Sequence, residues 1–362
     1  MNKVSIILLN YNGKKFNKHC IESILLQTYT YFEIIFVDNS STDWSLEEIK
    51  NLYQNEIHNK KIVIIENKKN TWFSWGNNLW VEHASKESKY ICLLNNDTTV
   101  LENRLEELIK GIESDNTLWG VGSIILNKWM EDKIKNEIFN NKYIAASSFF
   151  WENVWKKIND KEFQKGIFYT SAISWCCFLY RRDIINIPFE DYYFAYAEDT
   201  FLSRIILLLW YNLAIVWNSI VHHLWSGSFK KSPSDFKLFY WNRNQIINFL
   251  VFYSFWTKIK LFFLFILIQT WHIFINEPFK RVKAKYKAWL RIYKNWSKIK
   301  KTRNYIKSNT TISEKYFLSK LSYKFNDEMF FIEQKQWQSK IIKYINKLFK
   351  IYCILLFIPH SE

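Results

Sequence analysis

The stretch VSIILLNYNG at residues 4–13 joins a short apolar run to a polar turn. An apolar run this short, ended by Asn and Gly, is typical of a buried strand, because helices usually need ten or more residues. The following segment, FNKHCIESILLQT, has apolar side chains at helical spacing, such as Phe16, Cys20 and Ile24. The chain therefore begins with a predicted buried strand followed by an amphipathic helix.

The same alternation of short apolar runs and helical patterns continues to about residue 126. Strand–helix alternation predicts a mostly parallel sheet that helices cover on both faces. Ligands of such sheets bind beyond the carboxyl ends of the strands. Four further strands are predicted at EIIFVD (33–38), KIVIIEN (61–67), YICLLNND (90–97) and WGVGSIIL (119–126).

Length, charge and cysteine content limit the class of protein. The 362 residues are 49% hydrophobic, which is enough for one large packed domain and an appendage. The formal charge of +16 suggests an anionic partner, either nucleic acid, an anionic membrane surface or a phosphate-bearing substrate. Five cysteines without a CxxC motif indicate a reduced cytoplasmic compartment, and the N-terminal apolar run is too short for a signal peptide.

The character of the chain changes near residue 236. Residues 249–275 are strongly apolar and aromatic, and residues 280–303 are basic. The longest apolar run, at 261–275, is shorter than the roughly 20 residues of a spanning helix. We therefore expect one domain at 1–235 and a helical extension at 236–362 that contacts an anionic membrane surface. A buried core or dimer helix is the alternative.

Polar residues gather where three of the predicted strands end, at Asn10–Gly13, Asp38–Asp43 and Asn95–Asp97. In a parallel sheet these three strand ends lie on one edge. Side chains there can hydrogen-bond a base or ribose, or hold a divalent cation against a diphosphate. The alternative is that they are only turn formers and helix caps.

The ordered series of motifs resembles the inverting glycosyltransferases of family 2, in particular their rhamnosyltransferase-like bacterial branch. The resemblance covers about residues 3–230, from VSIILLNYNG through FEIIFVDNSSTDWS, YICLLNNDT and FEDYYFAYAEDTFLSR to IVHHLWSGS. It implies an α/β fold of the GT-A (Rossmann-like) type. It also implies transfer of a sugar from a nucleoside diphosphate sugar to a cell-surface glycan or lipid-linked acceptor, at the inner face of the cell membrane.

The resemblance assigns roles to the residues at the strand ends. Asp97 stands where the family carries its Asp-x-Asp-type motif, and is expected to bind Mg²⁺ or Mn²⁺. His223 is expected near this metal or the diphosphate, although a slip of one position would substitute His222. The residues expected to contact the nucleotide sugar are Asn10, Asn12, Asp38, Asn39, Asn78 and Asn96.

An acidic pair in FAYAEDTFLSR matches the Glu-Asp pair of the family. An inverting transferase needs one general base to deprotonate the acceptor hydroxyl. The resemblance assigns this role to Asp199, with Glu198 as the alternative. The family usually has a second Asp two residues further on, where this chain has Phe201. Without the resemblance, helix capping would also explain an acidic pair at this place.

Tryptophan stands at six positions where the family usually has glycine or another small residue. The chain has 7 glycines and 18 tryptophans, whereas the usual glycine content of about 7% would give roughly 25. Some bacteria read the codon UGA as glycine and others read it as tryptophan. We predict that this sequence was translated with the wrong code, so that these residues are natively glycine. A truly tryptophan-rich protein is the alternative. The six positions are Trp44, Trp72, Trp80, Trp175, Trp210 and Trp225.

Two other functions are compatible with the composition. A nucleotidyltransferase can have a similar sheet, but it would need a glycine-rich basic loop after the first strand, and NYNGKKFN matches poorly. A basic protein that binds membranes or nucleic acid without catalysis would not require Asp97 or Asp199. Full biological function in alanine variants of both residues would favour such a protein. The main expectation is an enzyme with no nucleic-acid partner.

Overall fold

The structure, a computed structural model, describes residues 1–68, 82–127, 143–149, 153–158, 160–174, 176–182, 197–224, 235–274, 278–324 and 336–361. The strands are β1 Lys3–Asn10, β2 Phe32–Asp38, β3 Ile62–Glu66, β4 Ser88–Asn95, β5 Thr98–Val100, β6 Leu118–Asn127, β7 Tyr143–Ser147, β8 Asn153–Lys157, β9 Ile167–Thr170, β10 Cys177–Arg181 and β11 Asn212–His223. The helices are α1 Lys14–Leu25, α2 Ser45–Leu52, α3 Gln54–His58, α4 Arg104–Glu113, α5 Asp160–Lys165, α6 Glu198–Leu208, α7 Asp235–Phe252, α8 Phe255–Phe274, α9 Pro278–Lys294, α10 Trp296–Asn309, α11 Glu314–Ser319 and α12 Gln336–Leu355.

The main sheet of the described residues has the strand order β3-β2-β1-β4-β10-β6-β11-β5, and β9 also pairs with β11. Strands β3, β2, β1 and β4 are parallel to one another, as are β6 and β11. Strand β10 lies antiparallel between β4 and β6. The predicted α/β fold is therefore confirmed, with all five predicted strands in place. The short apolar run of β10 does not indicate whether the strand is parallel or antiparallel, so this direction was not predicted.

Helices pack on both faces of this sheet because the side chains of the strands alternate between the faces. Val4, Ile6 and Leu8 of β1 belong to the hydrophobic cluster that includes α1, α2 and α4. Ile7 belongs to the opposite cluster, to which α6, α7, α8, α10 and α12 contribute. The helices after residue 235 therefore share a continuous hydrophobic core with the sheet.

The apolar stretch at 249–275 is divided between two helices. Helix α7 ends at Phe252 and α8 begins at Phe255. Between them, the backbone N–H of Ser254 donates to the carboxylate of Glu314 at 2.7 Å, which holds this turn against α11. Within the described residues, no helix has both the length and the apolar character needed to span a membrane.

Two of the six tryptophans that are predicted to be native glycines lie in the described residues, and both have a left-handed backbone. Trp44, immediately before α2, has a φ of 64°, and Trp210, just after α6, has a φ of 76°. Both side chains are exposed. No other tryptophan of the described residues has a positive φ. Because glycine adopts a positive φ readily, these two backbones support the prediction of native glycine. The other four positions lie outside the described residues.

Candidate active site

The carboxyl ends of β1 and β2 are joined through the side chain of Asn10. Asn10 and Asp38 are paired across the two strands, and Asn10 Nδ2 donates to Asp38 Oδ1 at 2.7 Å. The same amide nitrogen lies 3.0 Å from Ser41 Oγ and 2.8 Å from Ser45 Oγ. The other oxygen of Asp38 accepts from the backbone N–H of Ser41 at 3.0 Å. Asn10 and Asp38 are both buried, so they fix the loop after β2 in place.

The amide oxygen of Asn10 extends this network to α1 and to the end of β4. It accepts from the backbone N–H of Gly13 at 3.1 Å, from Asn17 Nδ2 at 2.9 Å and from Asn96 Nδ2 at 3.3 Å. A Cβ atom on Gly13 would lie only 2.1 Å from Asn96 Nδ2. Gly13 is therefore required for the close packing of these amides, and not for a positive φ.

Asn12 and Asn39 lie beside this network. Asn12 has a φ of 53°, and its amide oxygen accepts from the backbone N–H of Thr42 at 2.8 Å. Asn12 is exposed at the edge of the sheet, whereas Asn39 is buried and accepts from Asn67 at 3.1 Å. Of these two side chains, that of Asn12 is therefore the one accessible to a ligand.

Asp97 and His223 meet at the same edge. β5 follows Asp97 and pairs with the end of β11, where His223 lies opposite Thr98. The backbone N–H of Leu224 donates to the carbonyl of Asp97 at 2.8 Å, which aligns the two segments. Nε2 of His223 lies 3.0 Å from Oδ1 of Asp97, and both side chains are partly exposed. The contact with Asp97 is made by His223 and not by the adjacent His222.

This pair brings together two side chains of the types that hold metal ions. One carboxylate oxygen and one imidazole nitrogen suit Mn²⁺, and the carboxylate also suits Mg²⁺. Within the described residues, no group of three His, Cys, Asp or Glu side chains is arranged to hold a metal ion. Asp97 and His223 therefore fit a cation that would take its remaining ligands from a bound diphosphate and water.

Asp199 lies at the start of α6, in the helix's first turn. Its Oδ1 accepts from the backbone N–H of Thr200 at 2.7 Å, and its carbonyl accepts from Ser203 Oγ at 2.7 Å. Burial raises the pKa of the Asp199 carboxyl, and the hydrogen bonds from Thr200 partly oppose this effect. A carboxyl with a raised pKa has the higher proton affinity that a general base needs.

One segment links the start of α6 to the end of β4. The backbone N–H of Ile173 donates to Ser203 Oγ at 3.2 Å. Three residues further on, the carbonyl of Cys176 accepts from the backbone N–H of Asn95 at 3.0 Å. Three peptide units span at most about 11 Å. The helix turn that carries Asp199 is thus tied through this segment to the strand end that leads to Asp97.

A sequence model of glycosyl transferase family 2 matches residues 5–187, which is half of the chain. The chain belongs to glycosyl transferase family 2. The matched region includes the network around Asn10 and Asp38 and the Asp97 strand end.

Curated family relatives match this chain in part. An uncharacterized glycosyltransferase of Rickettsia felis is 30% identical over 43% of this chain and 23% of its own length. Glycosyltransferase GlyG of Streptococcus pneumoniae is 25% identical over 64% of this chain and 74% of its own length. The minor teichoic acid biosynthesis protein GgaA of Bacillus subtilis is 34% identical over 29% of this chain and 23% of its own length. The chain thus spans about a quarter of two of these relatives and three quarters of the other.

A solved structure supports the GT-A fold of this family 2 chain. The crystal structure of GalNAc-T7 with UDP, GalNAc and Mn²⁺ superposes with a TM-score of 0.57 at 14% sequence identity. The superposition covers 71% of this chain and 49% of that one. At this identity the likeness concerns the fold alone.

Part of the network in this family member was not predicted from its sequence. Asn17 and Gly13 were not predicted as site residues, although a polar side chain on the apolar face of α1 was a visible signal. Phe201, which departs from the family pattern, is buried against Phe252 in the core with ring centroids 5.2 Å apart. Asn78 and the side chain of Glu198 lie outside the described residues.

Proposed function

We propose that this family 2 chain transfers a sugar from a nucleoside diphosphate donor to a hydroxyl group of a cell-surface glycan or lipid-linked acceptor, with inversion at the anomeric carbon. The contact between Asp97 and His223 at the carboxyl edge of the sheet carries the proposal. It lies at the sheet edge where ligands of parallel sheets bind. The teichoic acid biosynthesis protein among the relatives supports a cell-surface acceptor.

The donor would bind along the edge that joins β1, β2 and β4. Asn10, Asp38 and Asn39 are buried, and we propose that they act mainly by holding the surrounding loops in shape. Asn12 and the backbone of residues 40–43 would then contact the base or the ribose. Asn96 lies between this part and Asp97, within hydrogen-bond distance of Asn10 and Asn17. Asn78 belongs to the same proposed set.

Asp97 and His223 would together hold Mg²⁺ or Mn²⁺ next to the donor diphosphate. The cation would supply neutralisation of the charge that develops on the departing nucleoside diphosphate. The hydrogen bond from Leu224 to the carbonyl of Asp97 keeps the two side chains together. The neighbouring side chains of Asn96 and Asn17 are neutral amides, so they would not compete with Asp97 and His223 as charged ligands of the cation.

Asp199 is the proposed general base, and Glu198 is the alternative. A base that takes the proton of the acceptor hydroxyl makes that oxygen a better nucleophile in the transition state. The raised pKa of Asp199, which its burial causes, supports this role. The rhamnosyltransferase-like branch and the inverting outcome remain part of the proposal.

The helical extension would contact the anionic inner surface of the cell membrane. Residues 278–309 contain twelve Lys or Arg and no Asp or Glu. Exposed aromatic and aliphatic side chains lie on the same helices, and such a combination binds anionic lipid surfaces. They include Phe279, Tyr286 and Tyr293 on α9, and the preceding helix α8 adds Phe255, Trp256, Phe262 and Phe263.

A screen of nucleotide sugars tests the proposed activity. The protein is incubated with a panel that includes nucleoside diphosphate rhamnose, with Mg²⁺ or Mn²⁺, and release of the nucleoside diphosphate is measured. We expect release from at least one donor, dependent on the cation and lost in Asp97→Ala. Absence of release from every donor, or full release by Asp97→Ala, would contradict the proposal.

A further inference from the structure

A cleft with a cavity volume of about 310 Å³ lies between the N-terminal half of α7 and α9. Three lysines of α9, Lys280, Lys283 and Lys287, line one side. Their spacing puts them on one stripe of the helix. Three aromatic residues of α7, Phe236, Phe239 and Tyr240, line the other.

The aromatic side is a preformed surface. The ring centroid of Tyr240 lies 4.6 Å from that of Phe236 and 4.9 Å from that of Phe239. The buried guanidinium of Arg243 lies 4.6 Å from the centre of the Tyr240 ring. Rings held in this way can cover an apolar or sugar-like skeleton with little loss of conformational entropy.

The lysine side is strongly cationic. Asp235 is the one acid among the described residues that line the cleft, and Lys283 and Lys287 lie on the wall that faces α7. Helix α9 itself contains no Asp or Glu. An ammonium group binds phosphate as a compact point charge, and several together favour a doubly charged phosphate ester.

The core below the cleft fixes the two walls relative to each other. Lys285 points to the interior between α7 and α8, where its Nζ donates to Asn242 Oδ1 at 2.7 Å and also contacts Gln269 Oε1. This buried lysine is bound by neutral amides of both helices. Lys285, which does not line the cleft, thus holds α9 against α7 and α8.

Helix α9 also carries an exposed, largely aromatic stripe. Val282, Tyr286, Trp289 and Tyr293 are at least half exposed, and they recur at helical spacing about a third of a turn around the helix from the lysine stripe. A ligand with an anionic head in the cleft could thus extend an apolar chain along this stripe.

We propose that the cleft between α7 and α9 binds the phosphate-bearing head of an amphiphile, with the phosphate at the lysines and the adjoining skeleton on the aromatic rings. This inference rests on the proposed function, since it identifies the chemistry of the membrane or acceptor that the extension recognises. The head group belongs either to a bulk phospholipid or to a phosphate-linked acceptor. Both sources share the phosphate ester joined to an apolar chain.

Binding of geranyl phosphate to the full-length protein tests the proposal. Affinity is measured by calorimetry for the wild type, for Lys283→Gln/Lys287→Gln and for the matched control Lys298→Gln/Lys300→Gln. The control removes the same charge from exposed positions on the neighbouring α10. Ala284→Phe, which fills the cleft from α9 without a change of charge, is the fourth protein, and thermal unfolding checks that it is folded.

We expect saturable binding that weakens about tenfold or more in the cleft pair and in Ala284→Phe, and stays at the wild-type level in the control pair. Geraniol and inorganic phosphate should each bind at least tenfold more weakly than geranyl phosphate. Equal weakening by both lysine pairs, or no saturable binding to the wild type, would overturn the proposal.

Competition then identifies the source of the phosphate. Vesicles of phosphatidylcholine with phosphatidic acid should displace geranyl phosphate if the site takes bulk phospholipid, and should leave it bound if the site takes a phosphate-linked acceptor. Donor hydrolysis without acceptor is measured on the same proteins. Its absence in the wild type would count against the proposed function alone, because binding to the cleft is read independently.

Discussion

Trp44 and Trp210 each combine a bulky side chain with a left-handed backbone, which bulky residues rarely adopt. Left-handed backbone costs a bulky residue roughly 1–2 kcal/mol, because Cβ approaches the carbonyl oxygen, and glycine avoids this cost. Both residues lie at junctions, Trp44 before α2 and Trp210 after α6, where a turn imposes the φ. The two positions support the prediction that native glycines stand there.

Replacing these residues by glycine should stabilise the protein. Trp44→Gly and Trp210→Gly should each raise the free energy of unfolding by about 1 kcal/mol, measured by urea denaturation. Trp289→Gly is the control, since Trp289 is half exposed inside α9 and its replacement should destabilise by about 1 kcal/mol. Destabilisation by all three variants would refute the strain argument, and UGG codons at the six positions would end the recoding hypothesis.

One substitution at Asp199 should affect turnover without breaking the hydrogen bond that this side chain accepts. Asp199→Asn keeps the oxygen that accepts from Thr200, so donor binding should persist while turnover falls roughly 10²–10⁴-fold. Wild-type turnover should rise with pH through a pKa above the ordinary range of Asp, because burial raises that pKa. Steady-state kinetics from acid to neutral pH measure both effects, and near-normal turnover of the variant would move the role to Glu198.

The raised pKa of Asp199 also fixes the sign of its effect on stability. A carboxyl whose folded pKa lies above its unfolded pKa contributes stability at acid pH, and this contribution is lost as the pH rises through the folded value. Asp199→Asn carries no titrating group there. The variant should therefore lose less stability than the wild type between acid and neutral pH, as urea denaturation at each pH would measure.

The elements of the sheet could be predicted because each strand is a short apolar run with a polar end. The direction of β10 could not, since its buried residues fit a parallel or an antiparallel strand equally well. The pair β7 and β8 lies in a Lys- and Asn-rich region whose composition hides its strands. The break between α7 and α8 was also hidden, because apolar residues continue through it.

Helices α8 and α9 carry the exposed faces that would meet the membrane. Deletion of residues 236–362 would not test this cleanly, because these helices share the hydrophobic core of the sheet. Phe262→Ser/Phe263→Ser removes two exposed rings instead. Since a buried large apolar side chain contributes about 1.5–3 kcal/mol, binding to phosphatidylglycerol vesicles should weaken at least tenfold in a flotation assay.

A matched control makes the membrane test specific. Tyr31→Ser/Leu52→Ser removes two similarly exposed apolar side chains from the sheet domain, one just before β2 and one at the end of α2. We expect this control to float with the vesicles as the wild type does. Equal loss in both variants would show that the contact is not confined to α8 and α9.

The whole molecule brings distant parts of the chain to one edge of a parallel sheet. That Asn10, Asp38 and Asp97 would gather there could be predicted, since parallel strands end on the same side. The role of Asn17 could not, because a helix pattern does not say which polar group a buried amide will meet. The contact between Asp97 and His223 joins residues 126 positions apart, and only the resemblance to the family suggested it.

Cation-dependent binding of a nucleoside diphosphate is the most direct measurement of this account. A panel of nucleoside diphosphates is titrated calorimetrically, with and without Mn²⁺, into the wild type, Asp97→Ala and Asp115→Ala. Asp115 is a control from the opposite edge of the sheet, where it accepts from the backbone N–H of Thr117 at 2.7 Å. We predict binding that requires Mn²⁺, is lost in Asp97→Ala and is kept in Asp115→Ala. Wild-type affinity of Asp97→Ala in the presence of Mn²⁺, or no binding of any nucleoside diphosphate to the wild type, would contradict the account.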